Sequence, residues 1–303
     1  MNSKTITVIC GDKREIYLVE SLLNLKTRLI LIGFENQAGL VNLIKNHANI
    51  ELSEDLDASL ISSDVVILPM PGIDNNGVIR STCFKYSLVF NEDIARLMKP
   101  NVLVLVGFAS PYLKYMADKY GFNLVETADT DHLAILNAIP SAEGAIAKAM
   151  ELTPITIHGS NSLVIGFGRV GTTLARMLKG LGANTHVAAR KNEQLARAFE
   201  MSCKPIKLEN LDTILDKMDI VFNTVPAMVL DASKLKVLNK RSVIIDLATA
   251  PGGVDYYAAK ELNIIAYLAP GLPGIVAPQT AGKILGEVYP QIILKHFGIT
   301  GRV

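Results

Sequence analysis

The chain alternates short β-branched apolar runs with longer stretches whose apolar residues recur at helical spacing. The runs fall at residues 5–10, 28–33, 65–69, 102–106 and 123–126 in the first half, and at 162–165, 185–189, 220–223, 242–246 and 264–268 in the second. Helical spacing fills the intervals at 15–25, 38–46, 111–120, 170–181, 193–201 and 256–262. The runs are apolar at nearly every position rather than at every second one, as strands covered on both faces must be. This alternation predicts an α/β fold on parallel sheets. It breaks near 139–161, which predicts two doubly wound domains: a flavodoxin-like domain over 1–139 and a second over 140–284.

At the break, Ile139-Pro140-Ser141 is expected to end one segment. Ser141 would then N-cap a new alanine-rich helix over 142–151, with Glu143 in its first turn. Thr153-Pro154 stops it, because proline disfavours helical geometry in the residue before it. The tail after Pro278 has helical spacing at Ile284, Leu285, Val288, Ile292 and Ile293, and Pro290 is expected to kink or split it. Its last part, about 285–303, is expected to pack back on the first domain.

Bulk composition narrows the function classes. The 303 residues suffice for two domains with separate cores. Thirty Lys plus Arg face 29 Asp plus Glu, with no basic tract, so nucleic acid is not an expected partner. No run approaches the roughly 18 apolar residues of a membrane span, and the first run is too short for a signal peptide. A cytoplasmic protein is expected. Cys10, Cys83 and Cys203 are odd in number and far apart, which predicts buried thiols with neither a metal site nor a disulfide framework.

The strongest motif is Gly166-Phe167-Gly168-Arg169-Val170-Gly171, which follows the run at 162–165 and opens the helix at 170–181. In a Rossmann dinucleotide turn the first glycine allows the bend, the second admits a pyrophosphate and the third packs helix on strand. The helix start adds unpaired N–H groups and positive partial charge. An NAD site would place Asp or Glu at the end of the next strand, about 20 residues on. Here the chain reads His186-Val187-Ala188-Ala189-Arg190-Lys191. A carboxylate would repel the 2′-phosphate of NADP, whereas a guanidinium grips it, so NADP is the expected cofactor. Three later strand ends are expected to line the same site: Asn223-Thr224-Val225-Pro226, Asp246-Leu247-Ala248 and Pro270-Gly271.

The first domain offers the chemistry. Arg14, with Asp12 in Gly11-Asp12-Lys13-Arg14, could clamp a substrate carboxylate, and the helix start at Ser141 could hold a second anion. Asp131 and His132 are candidate catalytic proton movers. The D-2-hydroxyacid dehydrogenases share a two-domain plan but need an acid–base histidine after the last strand, and residues 269–282 contain none. The cysteine and histidine set of a zinc alcohol dehydrogenase is also missing.

Together these segments resemble the dipicolinate synthase A-subunit family of spore-forming bacteria. The resemblance is carried by Gly11-Asp12-Lys13-Arg14, by Asn137-Ala138-Ile139-Pro140-Ser141-Ala142-Glu143-Gly144 and by the glycine turn. It continues in Asp246-Leu247-Ala248-Thr249-Ala250-Pro251-Gly252-Gly253-Val254-Asp255 and Pro270-Gly271-Leu272-Pro273-Gly274-Ile275-Val276-Ala277-Pro278. It implies NADP-dependent oxidation of dihydrodipicolinate to pyridine-2,6-dicarboxylate in the sporulating mother cell. It also implies an oligomer with a partner, the dipicolinate synthase B-subunit. On the residues alone, an NADP-dependent dehydrogenase of another small carboxylate and a non-catalytic NADP-binding subunit stay open.

Overall fold

The computed structural model describes residues 1, 4–35 and 37–299. The chain forms two compact units, Met1–Ala134 with Pro278–Val303, and Ile135–Ala277. These divisions fall a few residues before the expected 139/140 and 284/285.

The first unit holds a parallel sheet of β1 (Thr5–Ile9), β2 (Arg28–Ile32), β3 (Ile50–Leu52), β4 (Val65–Ile67), β5 (Leu103–Val106) and β6 (Asn123–Glu126). The second holds β7 (Asn161–Ile165), β8 (Asn184–Ala189), β9 (Lys204–Lys207), β10 (Ile220–Asn223), β11 (Val243–Asp246) and β12 (Ile265–Leu268). The orders are β3-β2-β1-β4-β5-β6 and β12-β11-β10-β7-β8-β9. Counted from its own first strand, each unit therefore reads 3-2-1-4-5-6, the dinucleotide-fold order. The flavodoxin-like expectation for the first unit is corrected: β3, a three-residue outer strand reading Ile-Glu-Leu, is too short to register as an apolar run. β9 was also missed, being polar and containing Pro205, which an outer strand tolerates.

Strand residues alternate between two cores in the second unit. Val164, Val187, Phe222 and Ile245 enter one, while Leu163, Ala188, Val221 and Ile244 enter the other. That double coverage is why the strands read as unbroken apolar runs.

Pro140 does not end a helix, and Pro290 does not split one. Asp131–Leu152 is one helix with Pro140 inside it, and Pro278–His296 is one helix with Pro290 inside it. Ala142, Ala145 and Ala149 of the first of these are fully buried in the second unit's core, and Pro290 is buried in the first unit. Packing over several turns outweighs the roughly 3 kcal/mol local penalty of one proline. The helix Pro278–His296 belongs to the first unit and lies against the helix Arg14–Leu22. A Cβ at Gly282 would stand 2.3 Å from the Arg14 carbonyl oxygen, so the two backbones touch.

The cysteine expectation is corrected too. Cys10, at the end of β1, is disulfide-bonded to Cys83, 73 residues away, and Cys203 is the buried free thiol. The segment carrying Cys83 is bonded to the same turn, with Thr82 N–H donating to the Gly11 carbonyl at 2.8 Å.

Candidate functional site

Two turns carry the candidate chemistry, each at the carboxyl edge where its sheet reverses strand order. In the second unit the glycine turn leaves β7 beside β10, and Asn223 pairs in register with Ile165. Gly166 has φ +92°, a conformation L side chains rarely adopt, and a Cβ at Gly171 would stand 2.2 Å from the Gly166 carbonyl oxygen. A Cβ at Gly168, by contrast, would meet no atom within 4 Å. No side chain caps the helix Arg169–Gly180 that follows. Its first-turn N–H groups and the open approach at Gly168 fit a pyrophosphate.

The surrounding residues divide by what their side chains do. Phe167 is buried in the core beside Leu174 and Val187, so it offers the site only backbone. Thr224 Oγ1 donates to the Ile165 carbonyl at 2.9 Å and lies against Gly166. Asn223 and Asp246 are fully buried. Asp246 accepts from Asn223 Nδ2 at 2.9 Å and the Ala248 N–H at 3.0 Å on Oδ1, and from the Gly253 N–H at 2.7 Å and the Tyr256 hydroxyl at 2.8 Å on Oδ2. Burial, followed by that bond to Asp246, pushes the Tyr256 phenol well above its ordinary pKa. Both residues shape the loops rather than present a free polar group. Val225 and Leu247 are half-buried, while Arg169, Pro226, Pro270 and Gly271 are exposed at the same sheet edge.

Arg190 and Lys191 are exposed at the end of β8. Arg190 lines a cavity of about 550 Å³ with Lys207 and Lys234, the apolar Leu208, Met228 and Val229, and the acids Glu209 and Asp212. Lys207 and Lys234 were not found from sequence, because one ends the overlooked β9 and the other sits on the helix Ala232–Val237. Lys191 stands outside this lining, 4.0 Å from Glu193.

In the first unit the turn after β1 is built by its own acids. Asp12 Oδ1 accepts the Arg14 N–H at 2.9 Å, and Glu15 Oε2 accepts the Asp12 N–H at 2.8 Å and the Gly11 N–H at 3.3 Å. Each carboxylate thus accepts backbone N–H groups of the turn they share. Arg14 is only 6% exposed, and its guanidinium meets Asp12 through Nε–Oδ1 at 2.9 Å and Nη2–Oδ2 at 2.7 Å. Burial opposes its charge, but the bonds and charge of Asp12 prevail and hold the Arg14 pKa above its ordinary value. Asp12 is acceptor-only when ionised, so it can align Arg14 but cannot itself hold a carboxylate. Sequence reasoning missed Glu15, 1% exposed, and Tyr289, whose buried hydroxyl lies 3.0 Å from Thr127 Oγ1 and 3.4 Å from Met70 Sδ. The spacing Asp12-x-x-Glu15 was the available signal for the first; nothing local marked the second.

Asp131 and His132 open the helix after β6, both exposed, with His132 Nε2 3.3 Å from Glu287 Oε1. β6 lies three strands from β1, about 14 Å at ordinary strand spacing, so neither joins the Arg14 turn. Ser141 is corrected: it stands inside the helix Asp131–Leu152, and its Oγ donates to the Asn137 carbonyl at 2.7 Å. The helix start that would have held an anion there does not exist. Among the described residues no cluster is arranged to hold a metal, and no helix is long and apolar enough to cross a membrane.

The dipicolinate synthase A-subunit of Bacillus subtilis (strain 168) is 35% identical over 289 residues, 95% of each chain. The chain belongs to the dipicolinate synthase A-subunit family. Residues 5–128 match that family's N-terminal domain, and residues 137–254 match the NAD binding domain of the D-isomer specific 2-hydroxyacid dehydrogenases. The second match makes the fold that of an oxidoreductase binding a nicotinamide dinucleotide. It stops before 269–282, the segment without histidine. The crystal structure of the dipicolinate synthase A-subunit from Bacillus halodurans superposes with TM-score 0.90 at 34% identity, covering 97% of this chain and 99% of that one. The Bacillus subtilis dipicolinate synthase A chain gives 0.89 at 33%, covering 98% of each.

Proposed function

We propose that the chain oxidises dihydrodipicolinate to pyridine-2,6-dicarboxylate with NADP⁺, acting with a second dipicolinate synthase subunit in the mother-cell cytoplasm of a sporulating bacterium. One observation carries this reading: a dinucleotide turn open at Gly168, in a chain alike to the dipicolinate synthase A-subunit over nearly its whole length. Bound at that turn, the dinucleotide supplies the hydride acceptor.

The chain's own residues then have separate tasks. The 166–171 backbone and the helix start would hold the pyrophosphate. Arg190, with Lys207 and Lys234 in the same cavity, would bind the 2′-phosphate, and Met228 and Val229 would border the adenosine. Arg14 would hold a substrate carboxylate through the edge that Asp12 leaves open. Two hydrogens leave adjacent ring carbons, one as hydride and one as a proton, and the ring becomes aromatic. Because aromatisation favours product, a weak acceptor suffices, and water would take the proton.

The test follows the reduced-nicotinamide absorbance with dihydrodipicolinate, with and without the partner subunit. Turnover with NADP⁺ is expected. NADP⁺ binding without turnover in either condition would replace this reading with a sensor or scaffold, and turnover only with another acid would replace the substrate.

A further inference from the structure

We propose that Glu15 is a positioning residue for substrate: its carboxylate fixes the Gly11–Asp12 backbone from which Asp12 aligns the Arg14 guanidinium for a dicarboxylate. The proposal rests on the reading of Arg14 as a carboxylate holder. Glu15 Oε2 takes both N–H groups of the turn, and Asp12 engages Arg14 along the Nε–Nη2 edge. That leaves the end of the guanidinium with Nη1 for a second carboxylate, since arginine has five N–H donors.

An ordinary helix cap stands in water, where its charge is screened. Glu15 is instead buried, faced by Asp12 and Arg14 of its own turn and by Tyr289 of the C-terminal helix. Burial first, then the Asp12 charge, raises the Glu15 carboxyl to about 7, against the opposing pull of Arg14 and the backbone bonds. Tyr289, itself raised by burial, stays neutral there. With Glu15 protonated, the Asp12–Arg14–Glu15 group is neutral; with Glu15 ionised, it carries one net negative charge. A dianion therefore prefers the protonated form and takes up a proton as it binds, by the reciprocity of linked equilibria.

Calorimetric titration of pyridine-2,6-dicarboxylate into the full chain, in buffers of different ionisation enthalpy, reads both points. For the wild type we expect proton uptake near pH 7 and affinity falling about tenfold from pH 6 to 8. Glu15→Gln keeps an acceptor for the two N–H groups. It should bind as the wild type does at pH 6, show no uptake and stay flat with pH. Glu15→Ala should lose about tenfold in dicarboxylate affinity, with an unchanged far-ultraviolet circular dichroism spectrum as the control for folding. Dicarboxylate binding by Glu15→Ala at wild-type strength, or wild-type proton uptake in Glu15→Gln, would overturn the positioning role alone. A wild type that binds no dicarboxylate would overturn the functional reading and this inference with it.

Discussion

Asn223 Nδ2 donates to Asp246 Oδ1 at 2.9 Å, tying the carboxyl ends of β10 and β11 together beneath the dinucleotide turn. Asp246 gathers three further donors, so Asp246→Ala leaves several buried groups unpaired at about 1–3 kcal/mol each. We expect a loss of roughly 3 kcal/mol or more in urea unfolding, and a substantial loss for Asp246→Asn too, since its single accepting oxygen serves one pair of donors and its NH2 would face the other. An alanine variant as stable as the wild type would mean that water replaces the carboxylate.

Two glycines of the turn, Gly168 and Gly171, should separate by experiment. Gly168→Ala should melt as the wild type does, since its Cβ meets nothing, yet bind dinucleotide at least about tenfold more weakly. Gly171→Ala should lower stability even without nucleotide, because its Cβ strikes the Gly166 carbonyl. Melting curves with and without NADP⁺ distinguish the two.

Arg190→Ala should weaken NADP⁺ by about 10- to 100-fold, the range of a lost charge-assisted bond of about 1.5–3 kcal/mol. NAD⁺ affinity should change by less than about threefold. Equal losses for both nucleotides would remove the 2′-phosphate from the account of Arg190.

Glu15 makes stability depend on pH. Its folded carboxyl titrates at about 7 against 4.5 ordinarily, so between those values the native state holds the extra proton. The wild type should therefore lose stability as pH rises from about 4.5 to 7, by up to about 3 kcal/mol, and level off above. Glu15→Gln should lack this slope; parallel pH profiles for the two proteins would assign the slope to other groups.

Opening the Cys10–Cys83 bond with a dithiol should lower stability by about 2–4 kcal/mol, since the bond closes a long loop. The measurement is the urea midpoint of the first unit with and without reductant, and an unchanged midpoint would mean that the bond contributes nothing to the fold.

The sheets were legible because a doubly covered strand must be apolar throughout, and the glycine turn because each glycine answers a local demand. What escaped was set by contacts distant in sequence. Cys10 and Cys83 meet only after β1 and the segment near Thr82 are brought together, which spacing does not reveal. Pro140 read as a helix end and Pro290 as a kink or split because proline acts locally, while the packing that carries a helix past it is tertiary. Ser141 followed from that error. Tyr289 reaches Thr127 from a helix that joins the first unit only in three dimensions, and Lys207 and Lys234 line the Arg190 cavity from elements with weak apolar patterns.

The helix Pro278–His296 gives synthesis an order. It emerges from the ribosome after all of Ile135–Ala277, so the second unit has every residue it needs while the first still lacks the helix against Arg14–Leu22. Until Tyr289 arrives, Glu15 has no roof on that side and its turn stands open to water. The N-terminal unit is begun first and finished last, and a nascent chain paused before residue 278 should already bind dinucleotide while its carboxylate-holding turn is unsealed.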